Sequence, residues 1–454
     1  MKKIISFIVF SIPFCAYAEL ITLESYIQQV AQGNQNYTAS VKNTEAGKLK
    51  SQEGELLTST SFFTNLNHVN DKRVPAIPAI MGDRTIVSSG SMGFAKNTTF
   101  GLSGKLYYSL THTKMNGVNG AFIPYTEYYE MSPVLEVKQS LWQNAFGRQT
   151  RAAMQALESK SMSDAYSSKY MSKQLISASE NLYWNLSTVR ELLDIQKQNL
   201  NRAEKLLEWS KRRANLNLAD KVDLLQAQAM LKMRQLEIES TMETERQLLR
   251  QFNTNRGLTS DDVEIELEKM TPEQALALSI PEKVGVREDV KALEAGARAA
   301  AANVKLSKDK NAPTLDLFGT FSLNGKEKFN DAFQDAFSGR YPYTVVGLTF
   351  SAPLSFGYVS RVNQGYEAEK VAAEYAYQRK SFETERLWDD LNKKIVDVRK
   401  KLELAHELEK LQDQKVNYEE KRLKLGRTTT YQVIMFENDL ASAQQTRLLA
   451  QQEL

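Results

Sequence analysis

The sequence predicts an α+β chain, mainly α, in which two long helical hairpins are each joined to β-strands. Three observations predict it. Helical runs of equal and unusual length occupy the two halves of the 454 residues, period-two segments precede each run, and the order of segments repeats along the chain.

The first eighteen residues stand outside the expected fold. Lys2 and Lys3 are followed by the apolar run Ile4 to Phe14 and by Ala16-Tyr17-Ala18, the pattern of an export signal cleaved before Glu19. The run is far shorter than the roughly 20 residues that span a bilayer. Phe14 also sits where a lipid-attachment motif around Cys15 needs a small residue. Cys15 is the only cysteine, so the mature chain is expected to hold no disulfide and no thiolate metal site. The three histidines, His68, His112 and His406, lack metal-pair spacing, and no metal or other cofactor is expected. A net charge of +3 gives no reason to expect nucleic acid. With no mature segment apolar enough for a spanning helix, entry into a membrane would require a closed β-barrel.

Two repeats are expected, at 19–260 and 261–454. Ile21-Thr22-Leu23-Glu24 opens a helix in the first, and Met270-Thr271-Pro272-Glu273 opens one in the second. Strands are expected over 61–142 and 314–354. Gln139-Ser140-Leu141 with Phe146-Gly147 recurs as Ala352-Pro353-Leu354 with Phe356-Gly357 where each strand region ends. Long helices are then expected over 148–215, free of Gly and Pro, and over 358–425, interrupted only by Gly365. At about 1.5 Å per residue each would run roughly 100 Å, several times an ordinary globular helix. Leu182, Leu186, Val189, Leu193, Gln196, Leu200, Ala203 and Leu207 alternate by four and three, as do Leu391, Ile395, Val398, Leu402 and Ala405, which reads as coiled-coil seams. Return helices are expected over 220–255 and 430–454. Asp220 with Asp223, and Thr429 with Gln432, stand at N-cap and N3 positions, the latter as a Thr-x-x-Gln capping box. Gly426 suits the left-handed end of the incoming helix.

In the strand regions, Tyr129, Met131, Leu135, Val137 and Leu141 alternate with Glu130, Ser132, Glu136, Lys138 and Ser140. Val346, Leu348, Phe350 and Leu354 alternate with small or polar residues, and Leu315, Leu317, Phe321 and Leu323 with Asp316, Thr320, Ser322 and Asn324. One apolar and one polar face suit a barrel between lipid and water, although a half-buried soluble strand has the same local pattern. The first strand region is the longer. Because a helix hangs from each of its ends, its strand count must be even, and an extra hairpin is expected. Strands near Phe62–Asn70, Phe94–Leu102, Leu106–Thr113 and Glu127–Leu141 satisfy this with a turn at Ser103-Gly104-Lys105. The alternative is a long extracellular loop from Asp71 to Lys96, rich in proline and glycine.

Taken together, these residues resemble a known family. The Thr-Leu-Glu and Thr-Pro-Glu openings, Leu141 through Phe146-Gly147-Arg148, Pro353-Leu354-Ser355-Phe356-Gly357, Asp289 to Glu294 with Asn311 to Leu315, and Leu425-Gly426-Arg427-Thr428 look like TolC-type outer-membrane efflux proteins. The resemblance covers the mature chain in order. It implies a homotrimer whose strands share one transmembrane β-barrel in outer-membrane lipid and whose helices form an α-barrel tunnel through the periplasm. It further implies docking onto a periplasmic adaptor bound to an inner-membrane pump, so that the chain is the passive exit conduit for small molecules. Type I protein secretion is the alternative within the family. By the same resemblance, Leu216, Asn217, Leu218 and Ala219, with Leu425, Gly426, Arg427 and Thr428, are expected as adaptor-docking tips, though simple turn-making explains them equally. Where many members carry acidic entrance residues, this chain has Gln432 and Met435; Asp220 and Asp223 would supply entrance charge instead, or act only as caps. Among rivals, a periplasmic adaptor carries a single hairpin, an exported enzyme would need a catalytic or phosphate-binding constellation that the sequence lacks, and a structural coiled coil leaves the alternating strands unexplained.

Overall fold

The computed structural model describes residues 19–77, 80, 82–119, 123, 125–216, 221–259 and 265–454, so the expected signal peptide lies outside it. The chain divides into two compact units. One comprises Met1–Lys42, Ser168–Gly285 and Glu383–Leu454, and the other Asn43–Ser167 and Val286–Phe382. The fold is mainly helical with an antiparallel sheet, as its sequence predicts. Among the described residues no helix is long and apolar enough to cross a membrane.

The first unit opens with β1 (Glu19–Ile21), which pairs in parallel with β6 (Ile265–Leu267). Thr22 then caps α1 (Leu23–Gly33), its hydroxyl accepting the Ser25 amide, and α2 (Gln35–Lys50) follows after Asn34. A core forms where these elements meet the long helix α3 (Arg148–Asn215, 68 residues) and its return helix α4 (Lys221–Asn255). Ile21, Tyr26, Val30, Leu182, Tyr183, Leu186, Phe252 and Leu267 are all buried in it. Tyr26 stacks on Phe252 with ring centroids 4.0 Å apart. The Tyr183 hydroxyl donates to the Ile21 carbonyl at 2.8 Å and accepts the Glu268 amide at 3.0 Å, tying the two short strands to the helix. Gly33 is required at the end of α1, because a side chain there would collide with the Arg256 carbonyl.

The second opening segment is split. Thr271 caps the short α5 (Pro272–Leu276) with a complete box, Thr271 taking the Gln274 amide and the Gln274 side chain taking the Thr271 amide. The next helix, α6 (Glu288–Lys310), belongs to the second unit. From Glu383 onward the partner long helix α8 (Phe356–Lys424, 69 residues) belongs to the first unit, which its return α9 (Thr430–Glu453) completes. The seam on α3 is buried at Leu182, Leu186, Leu193, Ala203 and Leu207. On α8 it is buried at Val398, Leu402 and Ala405, where Ala275 and Ala450 pack, but Leu391 is exposed and lies outside the packed stretch.

The second unit is built on a sheet in the order β2 (Thr60–Asp71), β3 (Arg84–Asn97), β4 (Leu102–Asn116), β5 (Glu127–Ser140), β7 (Thr314–Leu323) and β9 (Pro342–Ser351), every neighbour antiparallel. The short β8 (Gly325–Glu327) pairs with the start of β5, and a helix not foreseen from the sequence, α7 (Phe329–Ser338), follows it. The first repeat therefore carries four strands, but the extra hairpin turns elsewhere than expected. Ser103, Gly104 and Lys105 lie inside β4, paired with Asn97, Lys96 and Ala95. The turn is Thr99-Phe100-Gly101, closed by the Thr98 amide donating to the Leu102 carbonyl at 2.9 Å, with Gly101 left-handed at φ 75°. The loop has the expected three residues with a glycine, but the glycine stands last rather than in the middle. β3 fills the second half of the segment that the alternative reading left as a loop.

Candidate functional site

Two features of the fold bear on function: the faces of the sheet and the ends of the hairpins. Period-two side chains alternate across the sheet, and cross-strand registers align them into rows. Phe62, Phe94, Leu106, Leu135 and Phe321 form one row across five strands. Val137 and Val346 lie opposite Gly319 in a second row, and Leu317 pairs with Leu348 in a third. All the large apolar residues in these rows are exposed. The opposite face is polar: Lys105 pairs with Glu136 at 3.6 Å and Lys138 with Asp316 at 2.7 Å, and the Tyr107 hydroxyl donates to Glu136 at 2.8 Å. Asn65, Ser91, Ser109 and Ser132 continue it in register. Near the strand-to-helix junctions Phe100, Trp142, Phe146, Phe350, Phe356 and Tyr358 are exposed aromatic rings.

The junction below β5 is tightly built. Asn144 and Phe146 adopt left-handed backbone at φ 55° and 48°, followed by Gly147 at φ 79°. The Asn144 carboxamide oxygen accepts the Thr150 amide at 3.0 Å and its backbone amide donates to Asp309 at 2.8 Å; Asp309 also pairs with Arg148 at 2.9 Å. Gly147 lies against the Thr99 carbonyl with no room for a side chain.

At the hairpin ends, Leu216 is exposed just beyond α3, its amide donating to the Arg212 and Arg213 carbonyls. Asn217, Leu218, Ala219 and Asp220 lie outside the described residues. Asp223 sits half-buried in the first turn of α4. The second end is described in full. Gly426, at φ 73°, donates to the Leu423 carbonyl at 2.9 Å, and Arg427 to the Arg422 carbonyl at 2.9 Å. This is the six-to-one and five-to-two pattern of a Schellman stop, which only the left-handed glycine permits without strain. Leu425 and Arg427 are exposed and Thr428 is half-buried. Thr429 caps α9 by accepting the Gln432 amide at 3.2 Å; the reciprocal bond expected from the Gln432 side chain is not among the described hydrogen bonds, so only half of the box forms. Gln432 is half-buried and Met435 exposed. Behind the ends, Ala203, Leu206, Met230, Leu423 and Val433 bring all four helices into one cluster.

A second group of residues was missed in the sequence. Along α9, Val433, Glu437, Leu440, Gln444, Arg447 and Gln451 alternate by four and three, so charged and amide groups occupy a buried seam. The Arg447 guanidinium bonds Glu191 of α3 and Glu409 of α8, each at 2.8 Å, and Gln451 at 2.8 Å. Burial pushes Arg447 toward losing its proton, but the two carboxylates outweigh that and hold it above its ordinary value. Asn199 donates to Gln444 at 3.2 Å. Nearer the tip, Arg202 approaches Glu437 at 3.4 Å and Asp413 at 3.8 Å. The contact to Glu437 is too poorly aligned for a hydrogen bond, so Arg202 Nε and Glu437 Oε2 both stay unsatisfied. Burial pushes the Glu437 carboxyl above its ordinary value, opposed by the Arg202 charge and aided by that of Glu420. Applying the heptad count to the return helix as well as to the long one would have exposed this ladder.

No group of side chains with metal-ligand clustering occurs among the described residues. Residues 284–454 match the family described as outer membrane efflux protein. No curated protein sequence is detectably similar to the chain. Solved structures that share its fold include three outer membrane proteins. The outer membrane protein VceC of Vibrio cholerae aligns with a TM-score of 0.64 at 14% identity, over 95% of this chain and 92% of its own. The CmeC outer membrane channel of Campylobacter jejuni gives 0.65 at 12%, over 95% and 82%. The open state of the MtrE outer membrane channel of Neisseria gonorrhoeae gives 0.64 at 13%, over 95% and 86%. Residues 284–454 thus resemble the outer membrane efflux protein family, and along 95% of its length the chain shares the fold of solved outer membrane channels.

Proposed function

We propose that the chain is the exit-channel subunit of a tripartite efflux system. Three copies form one barrel in the outer membrane and one helical tunnel in the periplasm, a passive conduit for small molecules. One observation carries the reading: a sheet with an exposed apolar face, a polar face and two unpaired edges, β2 and β9. Such edges are unstable in isolation and in lipid must be closed. With every neighbour antiparallel, β2 and β9 themselves run in opposite directions, so β9 of one copy can pair with β2 of the next. Six principal strands in each of three copies make a barrel of about eighteen, the size that leaves an aqueous lumen. Cyclic symmetry repeats one heterologous contact until the ring closes. The exposed rings near the helix junctions then form the periplasmic aromatic girdle.

The two repeats, 19–260 and 261–454, each contribute a hairpin to the tunnel, and 1–18 directs export. The hairpin ends face the adaptor through Leu216, Asn217, Leu218, Ala219, Leu425, Gly426, Arg427 and Thr428. Asp220, Asp223, Gln432 and Met435 border the periplasmic entrance, and an inner-membrane pump feeds it. The test is purification from membranes, mass measurement in detergent and conductance in planar bilayers. Trimers opening water-filled pores are expected; a monomer freely soluble without detergent overturns the reading.

A further inference from the structure

The helix α7 lies on the apolar face of the sheet. Ala332 and Ala336 are buried against Met131, with Tyr108, Leu110 and Tyr129 around them. The register pairs Leu110 with Met131 and His112 with Tyr129, on the face that carries Leu106 and Leu135. Gly325 makes the close approach possible, since a side chain there would collide with the Ala332 carbonyl. The remaining apolar residues of α7 are Phe329, Phe333 and Phe337, one turn apart and 51%, 51% and 58% exposed. They are ordered nonetheless: Phe337 stacks on Tyr108 with centroids 6.0 Å apart, and Phe329 meets Tyr129 edge-on at 5.2 Å. Asn330, Asp331, Gln334 and Asp335 fall on the other arc of the helix, and Lys328 and Arg340 flank its ends.

The height of this patch matters. From Leu141, at the helix end of the apolar face, to Met131 the strand rises about 34 Å at about 3.4 Å per residue. Tilted by about 40°, that is roughly 25 Å along a membrane normal, the height of the apolar band of an outer-membrane barrel. The helix therefore meets the far rim of the band. It covers β4 and β5, with other strands on both sides, and so is set back from the edges at which neighbouring copies would close.

We propose that α7 is an interfacial helix lying in the outer leaflet at the boundary between headgroups and acyl chains, with its three phenylalanine rings in lipid. An apolar arc opposed by polar residues is the form such helices take. Here part of the arc, the two alanines, is used to seat the helix on the barrel, and the rest is left for lipid. The continuity of the rings with the exposed apolar rows selects lipid as the occupant, and the position away from β2 and β9 argues against a second copy. The far girdle is thus supplied in part by a helix rather than by strands alone. This inference rests on the barrel reading.

The test uses nitroxide labels on the full chain in a Cys15→Ser background, reconstituted in phospholipid bilayers. Phe333→Cys reports on α7, Phe321→Cys on the middle of the apolar band, and Asn330→Cys on the polar arc. Labels at 321 and 333 should both be several-fold more accessible to oxygen than to a water-soluble nickel chelate, with the reverse at 330. A label at 333 as open to the chelate as that at 330, with 321 in lipid, overturns the inference and leaves the barrel standing. A label at 321 in water overturns the barrel and the inference with it. If Phe333→Cys does not assemble, Phe329→Cys and Phe337→Cys give the same reading.

Discussion

Replacing Arg447 with methionine keeps the apolar stem in the seam and strips the charge from between Glu191 and Glu409. The arginine side chain is 7% exposed, and each of its three hydrogen bonds is 2.8 Å long. Removing one partner of a buried ion pair costs about 3–5 kcal/mol, because the other charge is left uncompensated. Here the abandoned carboxylates retain 23% and 20% exposure and can draw in water, which places the cost of R447M near the lower limit, about 3 kcal/mol. If the charge and not the packing is responsible, adding Glu191→Gln and Glu409→Gln should restore stability to within about 1 kcal/mol of the parent, since a neutral seam has no stranded charge. The assay is the loss of helical ellipticity in denaturant for the purified detergent-solubilised protein at neutral pH. If all of the effect falls on the unfolding rate, R447M unfolds on the order of 100-fold faster. An R447M variant within about 0.5 kcal/mol of the parent, the scatter of ordinary surface substitutions, refutes the reasoning, as does a triple variant no better than the single one.

Four further outcomes are expected. Burial raises the folded pKa of Glu437 above the ordinary carboxylate value, so its contribution to stability is full below that ordinary value and lost as the pH rises through the folded one. Glu437→Gln should abolish this loss, its advantage over the parent growing from pH 4 to pH 8; parallel pH profiles count against it. Val346→Arg, on the exposed apolar face, should cost about 2–4 kcal/mol of barrel stability in lipid while Thr349→Arg on the polar face is tolerated; equal effects, read by refolding into bilayers, would contradict the facial assignment. Gly147→Ala forces a side chain into the Thr99 carbonyl at a left-handed position, and should sharply reduce heat-resistant trimer on gels, whereas Gly357→Ala, which meets nothing, should not. Replacing Asp220 and Asp223 with Asn should weaken cation preference in planar bilayers if they border the entrance; unchanged selectivity leaves them as helix caps.

Much of this was written locally and could be read locally. A run without glycine or proline from Arg148 to Asn215 coincides with a helix over the same residues. Period-two alternation marked the apolar face of β5, β7 and β9, and Gly426 marked a helix stop, because each depends on a few neighbouring residues and on backbone sterics. The position of the β3–β4 turn did not follow. Gly101 and Gly104 each supply a glycine to a three-residue loop, and Leu102 and Leu106 share a face in either arrangement, so the hydrophobic pattern cannot choose. The choice is made by distant atoms: Gly101 lies against the Asn144 carbonyl at the strand-to-helix junction, where a side chain does not fit.

Helix length and strand alternation are legible in the chain alone, since periodicity and chain-breaking residues act over one or two turns. It takes the packing of distant elements to turn Arg447 and Glu437 inward, to set which partners they meet on α3 and α8, and to seat Phe329–Ser338 as a helix on Met131. Those outcomes depend on which surfaces are brought together across hundreds of residues, and a charged residue at a seam position is indistinguishable from a solvated one until its neighbours are in place.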